Sequence, residues 1–270
     1  MKLAQIQMHV TADKAANLRH AEDLLRSVRG ADMAILPEMF CCPYDNACFR
    51  AYGEPEGGPA YQMLSRAARE LNLWLVGGSL PELDGDKIYN TAYVFDPTGT
   101  CVARHRKMHL FDIDVQGGQS FRESATLSPG NDITLFDTPY GRMGLCICFD
   151  LRFEELYRLM ALEGARVLLA PAAFNMTTGP VHWSLAFRMR ALDNQCFIAG
   201  CSPARDETAS YVAYGHSLVS DPWGNLLTEF DEKADVQVVT IDLADLDKYR
   251  AQIPILAGRR TDLYRTEALK

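Results

Sequence analysis

The chain has 270 residues, of which 48% are hydrophobic, which is enough for one large domain with a substantial core. Its formal net charge of −8 and its pI near 5.3 oppose binding to phosphates or anionic lipid, so we expect neither nucleic acid nor a membrane as a partner. Eight cysteines, without a signal peptide or an apolar run of membrane length, favour reduced thiols and a cytoplasmic location.

The first third of the chain has the pattern of alternating strands and helices. Apolar runs predict strands over Leu3–Met8, Met33–Leu36 and Leu73–Gly77, and helical spacing predicts helices from a cap at Thr11–Asp13 to Gly30 and over Tyr61–Leu71. Glu38 follows the second strand directly. The long aromatic stretch Cys41–Gly58, rich in Gly and Pro, is typical of a loop beside a binding site.

Two Asp-Pro-x-Gly turns divide later strands in the same way. Asp96–Gly99 separates predicted strands Asn90–Phe95 and Cys101–Arg104, and Asp221–Gly224 separates Ser217–Ser220 and Leu226–Phe230. Corresponding hairpins in the two halves indicate a pseudo-repeat. We therefore predict an α/β protein with two stacked sheets, each covered on its outer face by helices.

The stretch Gly144–Glu155 places a thiol at the end of an apolar run. Met143–Phe149 is predicted to be a buried strand that ends in a sharp turn, before a helix over Glu154–Glu163. Cys148 would then lie at the carboxyl edge of a sheet, where a helix amino terminus favours the thiolate. The alternative is that Cys148 is a small apolar core residue.

Two further apolar segments end beside ionisable residues. Glu38 follows Ile35–Pro37, and Lys107 closes the basic segment that begins at Arg104. Burying either charge alone is costly, whereas a Glu, a Lys and a Cys at one sheet edge would compensate one another. Such a group would supply a general base, a cation and a nucleophile.

After Cys148, the pattern predicts another strand, edge loop and helix. The strand is Val167–Ala170, the loop is Pro171–Gly179, and the helix begins at Pro180 and is followed by a strand over Phe197–Gly200. His182 could act as a base, but a structural histidine packed beside Trp183 is the simpler interpretation. No paired Cys spacing or His couple typical of zinc ligands is present, so we predict no metal and no cofactor.

The ordered trio LPE around Glu38, RKMHLFD around Lys107 and CICFD around Cys148 resembles the nitrilase (carbon–nitrogen hydrolase) superfamily. The resemblance extends along essentially the whole chain, which implies a single four-layer αββα domain over residues 1–270. Four stretches resemble the ω-amidase branch more closely: FRESATLSPG, AFNMTTGPVHW, SPARDETASYVAYGHS and QIPILAGRRTDLY. The chain departs from the family at Glu154, where many members have Pro. A Pro in the first turn of a helix can be replaced without loss of the helix.

The resemblance implies a role for each site residue. Glu38 is expected to be the base, Cys148 the nucleophile that forms a thioester, and Glu123 a supporting glutamate. Lys107 and the backbone N–H of Phe149 are expected to hold the oxyanion. The loop Phe111–Glu123 is expected to be a lid over the site.

The ω-amidase branch implies a small dicarboxylic keto-acid amide as substrate, chiefly 2-oxoglutaramate or 2-oxosuccinamate. Its distal carboxylate needs a fixed cation and a hydroxyl, for which Arg152 and Thr178 are the candidates, with Phe174 as an apolar wall. An ion pair of Arg152 with Asp150 or Glu155 is an equally good interpretation.

Other interpretations remain open from sequence. The site could serve deaminated glutathione, an aliphatic amide or an N-carbamoyl compound, or the chain could be a non-catalytic binding protein on this fold. A Cys/His protease-like site is disfavoured because none of the six histidines lies in a suitable stretch. Family members commonly form homodimers through the helices after the catalytic cysteine. We therefore expect a homodimer, with the tail at residues 254–270 packing at the interface.

Overall fold

The computed structural model describes residues 1–269, which form fifteen strands, six α-helices and two short 3₁₀ turns. The strands are β1 (Lys2–Gln7), β2 (Met33–Ile35), β3 (Trp74–Val76), β4 (Leu80–Asp84), β5 (Lys87–Phe95), β6 (Cys101–Arg106), β7 (Asp112–Asp114), β8 (Ser120–Arg122), β9 (Thr134–Thr138), β10 (Gly141–Leu145), β11 (Val167–Pro171), β12 (Phe197–Cys201), β13 (Leu218–Ser220), β14 (Leu226–Glu229) and β15 (Asp235–Thr240). The helices are α1 (Lys14–Ser27), α2 (Asn46–Tyr52), α3 (Pro59–Leu71), α4 (Glu154–Leu162), α5 (Gly179–Asn194) and α6 (Asp245–Gln252). Within residues 1–269, no helix combines the length and apolar character needed to cross a bilayer.

Two mixed sheets share one topology, which confirms the predicted pseudo-repeat. The first has the order β15-β1-β2-β3-β5-β4, with β6 also paired to β5, and the second has the order β14-β13-β12-β11-β10-β9. In each, three parallel strands lead into an antiparallel hairpin, β5–β6 or β13–β14. The hairpins turn at Asp96–Gly99 and Asp221–Gly224, where the Asp side chain accepts backbone N–H bonds.

The predicted four-layer αββα sandwich is confirmed. Helices α1 and α3 pack on each other and on the first sheet, and α4 and α5 do the same on the second. Gly200 of β12 lets the ring of Phe187 on α5 lie directly on the sheet. Between the sheets, Trp74 stacks on Phe136, and the Gln5 amide donates to carbonyls of β12 and β13.

Several predicted boundaries are wrong. The supposed loop Cys41–Gly58 contains α2, which is capped by the Asp45 carboxylate. The supposed lid loop contains the β7–β8 hairpin, whose three-residue strands are too short to show periodicity. The strand before Cys148 ends at Leu145, and Cys148 opens a 3₁₀ turn over Cys148–Arg152. The sequence interpretation also missed four elements: β4, β9, β15 and α6.

Candidate active site

Glu38 lies just beyond the carboxyl end of β2, with its side chain completely buried. Its Oε1 accepts hydrogen bonds from Lys107 Nζ at 3.0 Å and from Asn90 Nδ2 at 2.8 Å. Its Oε2 accepts from the backbone N–H of Ala173, after β11, at 2.8 Å. The Glu38 carboxylate therefore receives donors from both sheets. It is also within hydrogen-bonding reach of the Cys148 thiol.

Lys107 follows β6 and is fully buried between two carboxylates. Its Nζ lies 3.0 Å from Glu38 Oε1 and 2.9 Å from Glu123 Oε2, and it donates to the Tyr44 hydroxyl at 3.1 Å. Burial opposes the ammonium, but the charges of Glu123 and Glu38 outweigh it and raise the pKa of Lys107. Lys107 is thus a permanent cation.

Tyr44 and Asn90 belong to the site but were missed by the sequence interpretation. The Tyr44 hydroxyl donates to Glu123 Oε1 at 2.9 Å, while the Asn90 amide reaches both Glu38 and Glu123. Glu123 also accepts the backbone N–H of Phe111. These bonds connect the two glutamates through neutral donors. Asn90 lies inside β5 next to Thr91, and no motif in the sequence distinguishes it.

Two glycines allow the catalytic segments to pack closely. Gly78 has a positive φ of +61°, and a Cβ there would collide with the carbonyl of Pro37, immediately before Glu38. A Cβ at Gly130 would collide with the Arg106 carbonyl, and the Gly130 N–H donates to the Lys107 carbonyl at 2.9 Å. The loops that support Glu38 and Lys107 are therefore held against neighbouring backbone.

Cys148 is the first residue of its 3₁₀ turn and has a φ of +44°, a conformation that few non-glycine residues adopt. Its side chain is buried beside Glu38 and Lys107. The expectation of a resting thiolate at a helix amino terminus is wrong, because α4 begins six residues later and burial raises the thiol pKa. The negative charge of Glu38 adds to this effect, and Lys107 only partly offsets it.

Burial also raises the pKa of Glu38, and the Lys107 cation counteracts much of that effect. The site therefore holds the neutral thiol of Cys148 next to the buried carboxylate of Glu38, whose affinity for a proton is raised. The raised pKa of Glu38 makes it a better acceptor for the Cys148 proton than an ordinary carboxylate.

Arg152 does not form the ion pair considered from sequence. Its guanidinium lies 4.9 Å from the centre of the Phe174 ring and 5.7 Å from that of Phe149, and its Nη1 contacts His182 Nδ1 at 3.2 Å. Among residues 1–269, neither Asp150 nor Glu155 pairs with it. His182 is exposed, and its Nδ1 contacts Arg152, whereas the sequence predicted a structural histidine packed beside Trp183.

Phe174 and Thr178 lie in the edge loop after β11. Phe174 is buried and packs edge-on against Trp183. The backbone N–H and hydroxyl of Thr178 both donate to Asn175 Oδ1, so the Thr178 oxygen retains capacity only as an acceptor. The structure thus places Arg152 and Phe174 together, with Thr178 bound to Asn175.

The β7–β8 hairpin closes over this edge loop. Gln119 in the hairpin accepts a hydrogen bond from the Asn175 side chain. A cavity of about 350 Å³ reaches Glu38 from another direction, with Tyr44, Ala173 and Tyr211 among its walls. Cys148 and Arg152 do not line this cavity, which therefore approaches the site from the side of Glu38.

All eight cysteines lie in the described part of the chain and are free thiols. Over residues 1–269, no group of three or more His, Cys, Asp or Glu side chains is placed to hold a metal ion.

Comparisons with known proteins agree on one family. A model of the carbon–nitrogen hydrolase family matches residues 2–251. Omega-amidase NIT2 of Danio rerio is 49% identical over 271 residues, which cover 100% of this chain and 98% of that protein. The crystal structure of Saccharomyces cerevisiae Nit3, a member of branch 10 of the nitrilase superfamily, has a TM-score of 0.88 at 40% identity and covers 96% of each chain. A mutant amidase from Nesterenkonia sp. AN1 has a TM-score of 0.80 at 26% identity and covers 97% of this chain and 98% of its own. It shows the product of Michael addition of acrylamide at its active-site cysteine.

Proposed function

Because this chain belongs to the carbon–nitrogen hydrolase family, we propose that it is an ω-amidase that hydrolyses 2-oxoglutaramate or 2-oxosuccinamate to the corresponding dicarboxylic keto acid and ammonia. The chain is a hydrolase of carbon–nitrogen bonds other than peptide bonds, in linear amides. The observation that carries the proposal is the buried Lys107 between Glu38 and Glu123, beside the Cys148 thiol. The full-length identity to Omega-amidase NIT2 supports the substrate class.

In the first half of the reaction, Glu38 accepts the thiol proton as the Cys148 sulfur attacks the amide carbonyl carbon. The carbonyl π bond breaks and leaves an oxyanion, which the Lys107 ammonium and the Phe149 backbone N–H stabilise. One such donor typically lowers the barrier by about 3–4 kcal/mol. Glu38 then returns its proton to the amide nitrogen. The carbonyl re-forms, the C–N bond breaks and ammonia departs, so that the acyl group remains on Cys148 as a thioester.

In the second half, Glu38 takes a proton from a water molecule that attacks the thioester carbon. The C–S bond breaks, the sulfur recovers a proton from Glu38, and the carboxylic acid is released. The 350 Å³ cavity beside Glu38 offers this water a path that does not cross the closed hairpin. Glu123 keeps Lys107 in place throughout, because the ammonium bonds to it at 2.9 Å.

The raised thiol pKa fits this sequence of steps. Glu38, Glu123 and Lys107 together carry one net negative charge, so a resting thiolate would add a second charge in a buried site. Attack and proton transfer therefore occur together. As the oxyanion forms, the negative charge moves toward Lys107 rather than staying on sulfur.

For the substrate, Arg152 is the cation best placed to bind the distal carboxylate. It lies on the same turn as Cys148, over the ring of Phe174, and burial lowers its pKa. No carboxylate among residues 1–269 pairs with it. The carboxylate of a bound substrate would supply the negative charge that pairs with the Arg152 guanidinium. Phe174 then forms the apolar wall beside the substrate chain. The Thr178 hydroxyl donates to Asn175 Oδ1, so it would have to leave that partner to donate to the carboxylate.

We further propose that the protein is a homodimer that associates through α5. One face of this helix exposes apolar side chains at helical spacing, and Leu185 is 66% exposed. The exposed apolar residues of this face are Val181, Leu185, Met189 and Leu192. In the tail, Leu263 and Tyr264 are also exposed, as expected of a segment that packs on a partner.

Ammonia release from 2-oxoglutaramate, succinamate, glutamine, deaminated glutathione, an aliphatic amide and an N-carbamoyl amino acid would test the function. We expect the highest kcat/KM with 2-oxoglutaramate and a low value with glutamine, whose α-amino group replaces the keto oxygen. A higher kcat/KM with another amide would reassign the substrate. The absence of ammonia from every compound would overturn the enzymatic role.

A further inference from the structure

Asp150 is a completely buried carboxylate that the reaction does not use. Its Oδ2 accepts from His105 Nε2 at 2.9 Å and from the Ile147 N–H at 3.0 Å. Its Oδ1 accepts from the backbone N–H of His109 at 2.9 Å and contacts His109 Nδ1 at 2.8 Å. Both oxygens are therefore occupied, although the group lies beside the catalytic turn.

The partners of Asp150 flank the catalytic lysine. His105 precedes Lys107 by two residues, His109 follows it by two, and Asp150 follows Cys148 by two. Lys107 follows β6 of the first sheet, whereas the Cys148 turn follows β10 of the second. The Asp150 carboxylate thus connects the segments that carry these two catalytic groups across the two sheets.

Further contacts hold both histidines in fixed orientations. His105 Nδ1 bonds to Thr134 Oγ1 on β9 at 2.9 Å, so its ring is bound at both nitrogens. The ring of His109 stacks on that of Phe153 at 3.6 Å with an interplanar angle of 10°. Phe153 directly follows the catalytic turn, so the His109 contact joins the same two segments a second time.

We propose that Asp150, through His105 and His109, is a positioning residue that sets the distance between the Lys107 ammonium and the Cys148 sulfur. This inference rests on the proposed function, because the distance matters only if Lys107 holds the oxyanion. A buried carboxylate is a costly way to join two segments that apolar contacts could join. The hydrogen bonds of Asp150 are directional, however, and therefore fix the relative position of Lys107 and Cys148. A displacement of about 1 Å between catalytic groups lowers the reaction rate roughly 100-fold.

The test is Asp150→Asn, which keeps the size of the side chain and removes its charge. We expect kcat to fall by about 100-fold, while KM stays within about threefold, since no group that binds substrate is removed. Glu54→Gln is the matched control. Glu54 is also buried, pairs with Lys14 and accepts the Ala60 N–H, but it lies outside the site. The control should lose stability and keep its kcat.

A second readout needs no substrate. The rate at which iodoacetamide alkylates Cys148 is followed against pH by intact mass, and we expect the Asp150→Asn profile to move to higher pH. Lys107 is the cation that lowers the pKa of this thiol, and displacing it removes that support. Among the described residues, the other ionisable groups that face Cys148 are Glu38 after β2, Tyr44 before α2, Arg152 on its own turn and Tyr211 before β13.

If Asp150→Asn does not fold, His109→Ala tests the same proposal. The His109 side chain is partly exposed and can be removed, while the backbone N–H of residue 109 still donates to Asp150 Oδ1. It should lower kcat severalfold and shift the alkylation profile in the same direction. A folded Asp150→Asn with kcat and profile like the wild type, or His109→Ala with both unchanged, would overturn the positioning role. If the wild type hydrolyses no amide, the proposed function fails, and the alkylation profile still reports on the geometry.

Discussion

The Nζ atom of Lys107 lies 3.0 Å from Oε1 of Glu38, and neither side chain is exposed to solvent. Buried ion pairs often contribute little to stability, because the desolvation of both charges offsets their attraction. In the mechanism proposed above their value lies in the chemistry, because Glu38 serves as the base and Lys107 as the cation that holds the oxyanion. Glu123 adds a second negative charge, so Lys107 stays protonated throughout the reaction.

Removing the Cys148 thiol should abolish turnover and leave the fold intact. Cys148→Ala and Cys148→Ser should each lower kcat by roughly 10⁴- to 10⁶-fold, because the nucleophile and its base act as a unit. Ammonia release and circular dichroism would measure the two effects. Cys101→Ser, which changes a partly exposed thiol at the start of β6, should behave like the wild type. Appreciable turnover by Cys148→Ala would rule out the thioester mechanism.

Tyr44→Phe should reduce kcat by about 10- to 100-fold without unfolding the protein. The hydroxyl accepts from Lys107 and donates to Glu123, and bonds to charged groups are worth about 1.5–3 kcal/mol. The remaining ring keeps its contact with Tyr211 at 4.5 Å. Tyr52→Phe removes one hydroxyl that bonds to the Ala12 carbonyl and not to Lys107 or Glu123, and it should leave kcat unchanged. Equal rates for Tyr44→Phe and the wild type would show that Lys107 does not need this hydroxyl.

The main features of the fold could be predicted because they depend on local patterns. Apolar runs and helical spacing mark the strands and helices of both halves, and the two Asp-Pro-x-Gly turns reveal the repeat. The missed β4, β9 and β15 lie at or near sheet edges and are partly exposed. The apolar signal that identifies a central strand is weaker in such positions.

Strand patterns alone pointed to Glu38, Lys107 and Cys148, whereas Glu123, Arg152, Phe174 and Thr178 were expected from the family resemblance. Glu38 and Lys107 follow β2 and β6, so strand ends indicate their place. Tyr44 belongs to an aromatic stretch without periodicity, and Asn90 lies within β5, so their contacts depend on tertiary packing alone. The thiolate favoured at Cys148 was wrong because burial raises the thiol pKa and the helix expected to oppose this effect begins only at Glu154.

Arg152→Met should raise KM for 2-oxoglutaramate by roughly 10- to 150-fold, because one charged hydrogen bond is worth about 1.5–3 kcal/mol. Hydrolysis of a neutral amide such as propanamide should be unaffected. Steady-state ammonia release with both substrates separates carboxylate recognition from general damage. Arg142→Met is the control, since Arg142 is partly exposed at the start of β10 and bonds to Asp137 and to the Glu163 carbonyl. An unaltered KM for 2-oxoglutaramate would exclude the carboxylate role.

Leu185→Lys should shift the protein from dimer to monomer, because a charge at the centre of the apolar face of α5 would be buried at the interface. Light scattering coupled to size-exclusion chromatography would measure the mass. Val102→Lys places the same charge at an exposed apolar residue on β6 of the other sheet and should remain dimeric. Should both variants elute as dimers, the interface lies elsewhere.

Asp150 should also determine part of the stability of the fold in acid. Although burial opposes its charge, hydrogen bonds from His105 and His109 lower its pKa well below the ordinary value of 3.8. The unfolded chain therefore binds a proton below about pH 4 that the folded chain does not, so Asp150 stabilises the protein above that pH. This contribution is lost as the pH falls toward the lowered pKa.

Asp150→Asn should accordingly be less stable than the wild type by about 3 kcal/mol at pH 7, and the difference should shrink as the pH falls below 4. Urea unfolding at a series of pH values would measure both free energies. Asp137→Asn is the control, because the pKa of Asp137 is also lowered, but its pair with Arg142 is exposed and contributes little. A stability difference between the wild type and Asp150→Asn that stays constant from pH 7 to pH 2 would mean that packing, and not the Asp150 charge, joins the two catalytic segments.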